Sequence, residues 1–270
     1  MSLFVDAKIR VKALLRPIWR GYVKWPMPLW RLRGYGDFEL AGESLRFHEI
    51  GSAPHDWWAW KMHDNIWESS VIAFFAQATR PGDVVFDIGA HTGPYSLLAA
   101  RLVGPNGWVH AFEPDPVARS LLERNIATNQ VANITVVPLA IGAEDGWASL
   151  EAGRSGELGD SGTIARPIAA EAEDVTQVVS LQTYCREHGV QPSVIKIDVE
   201  GAEADVLADS ATAILKRTRV VLVEIHDAAL RERGSGPDEL VNRLSSLGGD
   251  LRKIDERWPG NHHVAMTRPL

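Results

Sequence analysis

The sequence predicts an α/β protein built on a doubly wound, mostly parallel sheet. Short apolar runs near Val84, Trp108, Ile134, Val194 and Arg219 alternate with stretches of helical periodicity. That is the pattern of strands covered on both faces by helices. Four of these runs end in an acid, at Asp87, Glu113, Asp198 and Glu224, so polar chemistry gathers where an open α/β sheet binds its ligand. The stretch from Asp87 through Gly89, Ala90, His91 and Thr92 to Gly93 turns the first of these strands into a helix. Its glycines let a backbone approach a ligand closely.

In chain order, residues 3–16 place Phe4, Ala7, Val11, Leu14 and Leu15 at helical spacing, although residues 5–12 also alternate as a strand does. Pro17 ends any helix. Trp19, Tyr22, Trp25 and Trp30 then interleave with Arg20, Lys24, Arg31 and Arg33. Residues 37–66 read as short strands and loops around His55-Asp56-Trp57-Trp58-Ala59-Trp60. Such an indole cluster fills a core or lid hinge, or stacks on a sugar face. Residues 1–66 are therefore taken as an N-terminal extension, and residues 67–270 as the main domain.

Trp67 to Thr79 has helical spacing and leads into the Pro81-Gly82 turn, with Thr92 expected to cap the helix that follows Gly93. Residues 115–128 predict a helix burying Val117, Leu121, Leu122 and Ile126. Ile134 to Leu139 is a strand with Ala140-Ile141-Gly142 at its carboxyl end, and Trp147 to Leu150 an added hairpin strand. Residues 152–176 read as a long loop. Its Gly159-Asp160-Ser161-Gly162 has the look of a serine-protease nucleophile segment, but no β-barrel pattern surrounds it. A helix carrying Val206, Leu207 and Ala211 follows Gly201, another spans residues 237–247, and Leu251–Ile254 and His263–Thr267 are closing strands.

Composition narrows the class. Hydrophobic residues make up 45% of the 270, enough for a sizeable core. The single cysteine, Cys185, excludes an internal disulfide framework and fits a reducing, cytoplasmic setting. No apolar run reaches the length of a membrane span. Residues 1–36 carry eight Lys/Arg against one acid, whereas the whole chain is at −7. The acidic remainder argues against a nucleic-acid partner. The basic, aromatic leader is expected to pack on its own domain or on a second copy in a homo-oligomer. The alternative is contact with an anionic membrane surface.

The glycine turn is Gly-x-x-x-Gly after an acid and lacks the middle glycine of the dinucleotide pattern. Glu113 lies twenty residues past Gly93, close to the spacing at which an acid meets ribose hydroxyls. A ribose-bearing ligand without a pyrophosphate fits better, which favours S-adenosylmethionine over NAD. A nicotinamide-dependent oxidoreductase and a non-catalytic, membrane-associated binding module are the competing readings.

Four segments in this order complete the picture: Phe86-Asp-Ile-Gly-Ala-His-Thr-Gly93, Ala111-Phe-Glu-Pro114, Ile195-Lys-Ile-Asp-Val-Glu-Gly-Ala-Glu203 and Val223-Glu-Ile-His226. Over residues 67–227 the chain resembles the FkbM-type SAM-dependent methyltransferases. The third segment separates that family from other class I methyltransferases. The resemblance implies a seven-stranded, Rossmann-like sheet with an antiparallel last strand. It also implies methyl transfer to a hydroxyl of a sugar, glycolipid or polyketide-type natural product. Many relatives have Asn where this chain has His91.

On that basis Asp87, Gly89 and Gly93, with Ala90, His91 and Thr92 between them, are expected to hold the methionine part of the cofactor. Glu113, followed by Pro114, would take the ribose, and Ala140 would lie near the adenine. His226 is the expected base, because imidazole titrates near neutrality. Asp198, Glu200 or Glu224 would orient it or bind the acceptor hydroxyl. Asp198, Glu224 and His226 are alternatively a set that holds Mg²⁺, but no metal is assigned. Zinc is not expected, since neither a Cys cluster nor His-Glu-x-x-His is present.

Overall fold

A computed structural model of the chain describes residues 35–48, 68–151, 163–167, 175–258 and 261–269. They fall in two units, Met1–Trp67 and Glu68–Leu270. In the first, β1 (Tyr35–Leu40) and β2 (Glu43–His48) form an antiparallel hairpin. Its connecting residues Ala41 and Gly42 sit at φ 50° and 86°, the positive values a tight hairpin turn of type I′ requires. Phe38 packs on Phe47, with ring centroids 5.9 Å apart. The expectations for residues 1–34, the tryptophan cluster and Gly159–Gly162 lie outside the described residues.

The second unit begins with α1 (Ser69–Ala78), β3 (Val84–Ile88), α2 (Pro94–Val103), β4 (Trp108–Phe112), α3 (Pro116–Asn129) and β5 (Ile134–Val137). Four strands then form a sheet of their own: β6 (Ala140–Gly142), β7 (Gly146–Glu151), β8 (Thr163–Pro167) and β9 (Val175–Ser180), in the order β6-β9-β7-β8. The chain returns through α4 (Leu181–His188) and β10 (Val194–Ile197), and then the short helices α5 (Glu203–Val206) and α6 (Thr212–Leu215). It closes with β11 (Val220–His226), α7 (Asp227–Glu232), α8 (Pro237–Ser246), β12 (Asp250–Trp258) and β13 (Asn261–Thr267).

The main sheet has seven strands in the order β12-β13-β11-β10-β3-β4-β5. β3, β4, β5, β10 and β11 are mutually parallel, and β13 runs antiparallel to β11. The predicted α/β, doubly wound, mostly parallel architecture with an antiparallel last strand is therefore present. After β3 the chain winds outward through β4 and β5, then crosses back to build β10 on the other side of β3. The β3–β10 edge is the topological switch point, where such sheets open a ligand crevice.

Register aligns the strand ends. Val223, Ile197, Ile88, Phe112 and Val137 pair in one row across the sheet. One residue further along stand Glu224, Asp198, Gly89 and Glu113. The floor beneath this row is apolar, with Phe86, Ile88, Phe112, Ile195, Ile197, Val221 and Val223 in one core cluster.

Several local expectations need correction. The third strand ends at Val137, because Pro138 has no N–H to continue a ladder, and Ala140–Gly142 pair with β9 instead. The stretch 152–176 is not wholly loop, since it contains β8 and the start of β9. The segment after Gly201 is two short helices and a 3₁₀ turn (Asp209–Ala211) rather than one helix. α3 buries Ala118, Leu122, Asn125 and Asn129, while Val117 is exposed. Its apolar periodicity misleads because two asparagines occupy the inner face. Asn125 donates from Nδ2 to the Thr92 carbonyl at 2.9 Å, and Asn129 to the Asn125 carbonyl at 2.8 Å.

At the opposite, amino end of the sheet Arg219 locks three segments together. Its Nη2 donates to Asp83 Oδ2 at 2.6 Å and its Nη1 to the Ala78 carbonyl at 2.8 Å, while the Arg80 N–H also donates to Asp83 Oδ2 at 2.7 Å. Both charged side chains are only 11% exposed. Removing one member of such a pair leaves the other unpaired in a poorly solvated place. Asp83→Ala is expected to lower unfolding free energy by about 3 kcal/mol, read as a lower urea midpoint at unchanged slope. Asp83→Ala combined with Arg219→Met should recover part of that loss.

Candidate active site

The glycine turn is shaped by backbone constraints. Gly89 sits at φ 83°, and a Cβ there would lie 1.8 Å from the Asp198 carbonyl oxygen. This glycine lets the β3 turn pass against the end of β10. Gly93, at φ 94°, is the residue that caps α2, with Pro94 at the first helical position. Its missing Cβ leaves room for Leu122, which a Cβ would meet at 2.4 Å. Thr92 is thus not the cap; its Oγ1 is buried with no hydrogen-bond partner among the described residues. His91 holds φ 52°, a left-handed value at which Asn, Asp and His are enriched.

Glu113 ties this turn to the end of β4. Its Oε2 accepts from the His91 N–H at 2.7 Å and its Oε1 from the Asp115 N–H at 2.9 Å. Arg119 donates to the carbonyls of Glu113 and Pro114 at 3.1 and 2.9 Å. Burial pushes the Glu113 carboxyl up to about 7, against the pull of the two backbone donors. Ala140 stands apart from this group in sequence, as the buried first residue of β6.

Asp87, on β3, is 1% exposed; Oδ2 accepts from Ser96 Oγ at 2.6 Å. Its Oδ1 has no hydrogen bond among the described residues but lies 3.7 Å from Lys196 Nζ. Burial raises the Asp87 carboxyl above its usual range, with Lys196 opposing. Lys196, on β10, also donates to Asp198 Oδ2 at 3.1 Å and sits 4.5 Å over the Tyr95 ring. For Lys196 burial favours the neutral amine, but Asp198 and Asp87 outweigh it and hold the ammonium charged. Asp198 is likewise opposed by burial, yet Lys196 and then His226 keep it well below the usual carboxylate range.

The expected catalytic residues meet around one nitrogen. His226 Nε2 lies 3.4 Å from Glu200 Oε2, 3.7 Å from Glu224 Oε1 and 3.8 Å from Asp198 Oδ1. Glu224 and His226 are two apart on β11 and so share a face. Glu200 reaches the cluster from the turn after β10, at φ 52°. Burial favours the neutral ring, but the hydrogen bond to Glu203 and the charges of Glu200, Glu203 and Asp198 push His226 up to about 10. The ring is therefore charged at neutral pH, which changes what it can do as a base.

Sequence reasoning missed the residues behind the cluster. Glu203 is fully buried; its Oε1 accepts from His226 Nδ1 at 2.8 Å and from the Gly201 N–H at 2.9 Å. It was visible within the Glu200-Gly-Ala-Glu203 segment but had been given no task. On β13, His263 stands directly across from both Glu224 of β11 and Asp255 of β12. Its Nε2 is 3.2 Å from Glu224 Oε2 and its Nδ1 2.8 Å from Asp255 Oδ1. Burial opposes its charge, but these two carboxylates push it up to about 9. No spacing in the sequence signals that row, because it depends on the register of three strands. Tyr95 adds a further link, donating to Glu68 Oε2 at 2.5 Å. Among the described residues, donor atoms of Asp198, Glu224 and His226, and of Glu68, Glu224 and His263, come within 4.8 Å of one another. No described helix is long and apolar enough to cross a membrane.

The chain is 35% identical over 176 residues to the 31-O-demethyl-FK506 methyltransferase FkbM of Streptomyces tacrolimicus, covering 55% of this chain and 67% of that one. It is 28% identical over 228 residues to the hexuronic acid methyltransferase AglP of Haloferax volcanii, covering 80% of this chain and 83% of that one. Among solved structures, the precorrin-6y C5,15-methyltransferase of Geobacter metallireducens GS-15 aligns at 13% identity and a TM-score of 0.44, over 75% of this chain and 89% of that one. Residues 87–251 match the family model described as the methyltransferase FkbM domain, a span that runs from the buried Asp87 of the glycine turn through Glu113, Asp198 and His226. The chain belongs to the FkbM-domain methyltransferases.

Proposed function

We propose that this protein transfers the methyl group of S-adenosylmethionine to a hydroxyl oxygen of a saccharide or polyketide-type acceptor. The observation that carries the reading is the row of strand ends, with Glu113 and the glycine turn on one side of the switch point and Asp198, Glu224 and His226 on the other. The names of the relatives, one a 31-O-demethyl-FK506 methyltransferase and one a hexuronic acid methyltransferase, support an oxygen acceptor on an oxygen-rich substrate.

The residues at the turn fit such a cofactor. Two buried oxygens, Asp87 Oδ1 and Thr92 Oγ1, have no hydrogen-bond partner among the described residues. A buried carboxylate with unspent acceptor capacity suits the ammonium of a methionyl group. Glu113 uses one acceptor position on each oxygen for backbone N–H groups, and so retains lone pairs for ribose hydroxyls. The cofactor supplies the electrophilic methyl.

The protein's share is to bring the acceptor oxygen in line and to receive its proton. A charged His226 ring cannot accept that proton at neutral pH. We therefore assign the acceptor role to Glu200, the nearest carboxylate to Nε2, whose side chain is 38% exposed and so reachable by a substrate. His226 holds the carboxylates around the oxygen. Asp198 and Glu224 complete the acid cluster.

Calorimetry with S-adenosylmethionine should show binding, and with NAD none; the reverse would overturn the assignment. Glu113 is protonated below its value of about 7 and ionised above it. If the ionised form takes the ribose, affinity should rise up to tenfold per pH unit below 7 and level off above. Glu113→Gln should flatten that profile.

Glu200→Gln and His226→Ala should each lower kcat by about 10²- to 10⁴-fold with little change in cofactor affinity. Near-normal turnover by His226→Ala would remove that residue from the mechanism. A rate that climbs tenfold per pH unit up to about 10 in the parent enzyme would return the base role from Glu200 to His226.

A further inference from the structure

We propose that Asp198, Glu224 and His226 form a binding site for a hard divalent cation of the magnesium and manganese class. The purpose of such an ion rests on the methyl-transfer reading above; its coordination chemistry does not.

Each of the three side chains is anchored at one atom and presents another to a shared gap. Lys196 Nζ holds Asp198 Oδ2 at 3.1 Å, His263 Nε2 lies 3.2 Å from Glu224 Oε2, and Glu203 Oε1 holds His226 Nδ1 at 2.8 Å. The opposite atoms face one another: Asp198 Oδ1 is 3.8 Å and Glu224 Oε1 3.7 Å from His226 Nε2. A carboxylate behind a histidine, fixing the tautomer and aiming the other nitrogen, is the arrangement that supports metal-ligating imidazoles.

The nitrogen itself is the second observation. The His226 side chain is 7% exposed. Nδ1 is engaged by Glu203, whereas Nε2 has no hydrogen bond among the described residues and faces three carboxylate oxygens at 3.4–3.8 Å. Carboxylate oxygens converging on this nitrogen call for a positive centre in front of it, supplied by the ring's own proton or by a cation that displaces that proton. Six-coordinate ions of this class hold neighbouring donors roughly 3 Å apart, so a contraction of under ~1 Å brings each carboxylate oxygen to ligand spacing from Nε2, and all three donor atoms already lie within 4.8 Å of one another.

The donor set selects the ion. Two carboxylate oxygens and one imidazole nitrogen, with no thiolate, suit magnesium or manganese rather than soft metals. Three protein ligands also leave positions for water and for an acceptor oxygen, whose proton the charge would make easier to remove. The neighbouring group of Glu68, Glu224 and His263 is a weaker candidate. There His263 Nε2 already faces Glu224, and Glu68 accepts from Tyr95.

The test titrates Mn²⁺ into the full chain, without cofactor or acceptor, and follows free Mn²⁺ by electron paramagnetic resonance. One Mn²⁺ per chain should bind and be displaced by excess Mg²⁺. Asp198→Asn and Glu224→Gln should each weaken binding at least tenfold, and Glu113→Gln should leave it unchanged. If either cluster variant fails to fold, the parent protein decides: substoichiometric Mn²⁺ should broaden the ring-proton resonances of His226 and His263 before those of other histidines. An undiminished free signal at millimolar Mn²⁺, binding that survives both substitutions, or broadening elsewhere first would overturn the site. Cofactor binding without Mn²⁺ binding would sink this inference and leave the transfer reading standing; Mn²⁺ binding without cofactor binding would do the opposite.

Discussion

The structure turns on the edge where β3 meets β10. Lys196 stands on that edge with its ammonium between Asp87 and Asp198, at 3.7 and 3.1 Å. One residue beyond Asp87 and Ile88, Gly89 passes so close to the Asp198 carbonyl that no side chain fits. The charge bridge and the missing Cβ fix the same thing: the separation of two strands whose loops leave in opposite directions. Every group proposed to act on a ligand is positioned from there. Lys196 is only 3% exposed as a residue, so its charge is kept by the paired carboxylates rather than by water. Replacing Lys196 would leave two buried acids facing each other without a counter-charge, a loss of several kcal/mol by ordinary measures.

Most of the sheet was legible because its strands are buried on both faces and read as plain apolar runs. The glycine turn and the acids at the strand ends were legible too, since parallel strands must end in polar residues where the crevice opens. The sequence was least informative where polar residues face inward. Asn125 and Asn129 take the inner face of α3 and rotate the expected apolar stripe; Pro138 cuts a strand that hydrophobicity alone would prolong. Thr92 looked like a helix cap by residue type, but Gly93 and Pro94 satisfy the cap through backbone conformation. The departure at His91 has a simple basis, since its left-handed φ of 52° is tolerated by His as it is by Asn. Glu203 and His263 were out of reach because their partners are set by a turn and by cross-strand register.

The two sides of the crevice are built by different means. On the β3–β4 side, positions are enforced by backbone: positive φ at Gly89, His91 and Gly93, and N–H groups donated to Glu113. Substitutions there strain the chain itself. On the β10–β11 side, positions are enforced by side-chain charge, in a row running from Asp255 through His263 to Glu224 and from Glu203 to His226. Gathering Asp198, Glu203 and Glu224 around one imidazole costs stability, since like charges are crowded into a poorly solvated place. A sequence tolerates such a local conflict where function requires it.

That difference separates what each side can vary. A turn held by its backbone admits few residue types, so its shape is fixed by the chain itself. A cluster held by charges behind it is more permissive in front, because Glu203, His263 and Lys196 fix its geometry from the buried side. On the proposed reading, acceptor identity is then set by residues outside this buried frame. On the same reading the chemistry belongs to the strand ends, where a buried imidazole, three carboxylates and the glycine turn converge on a single edge of the sheet.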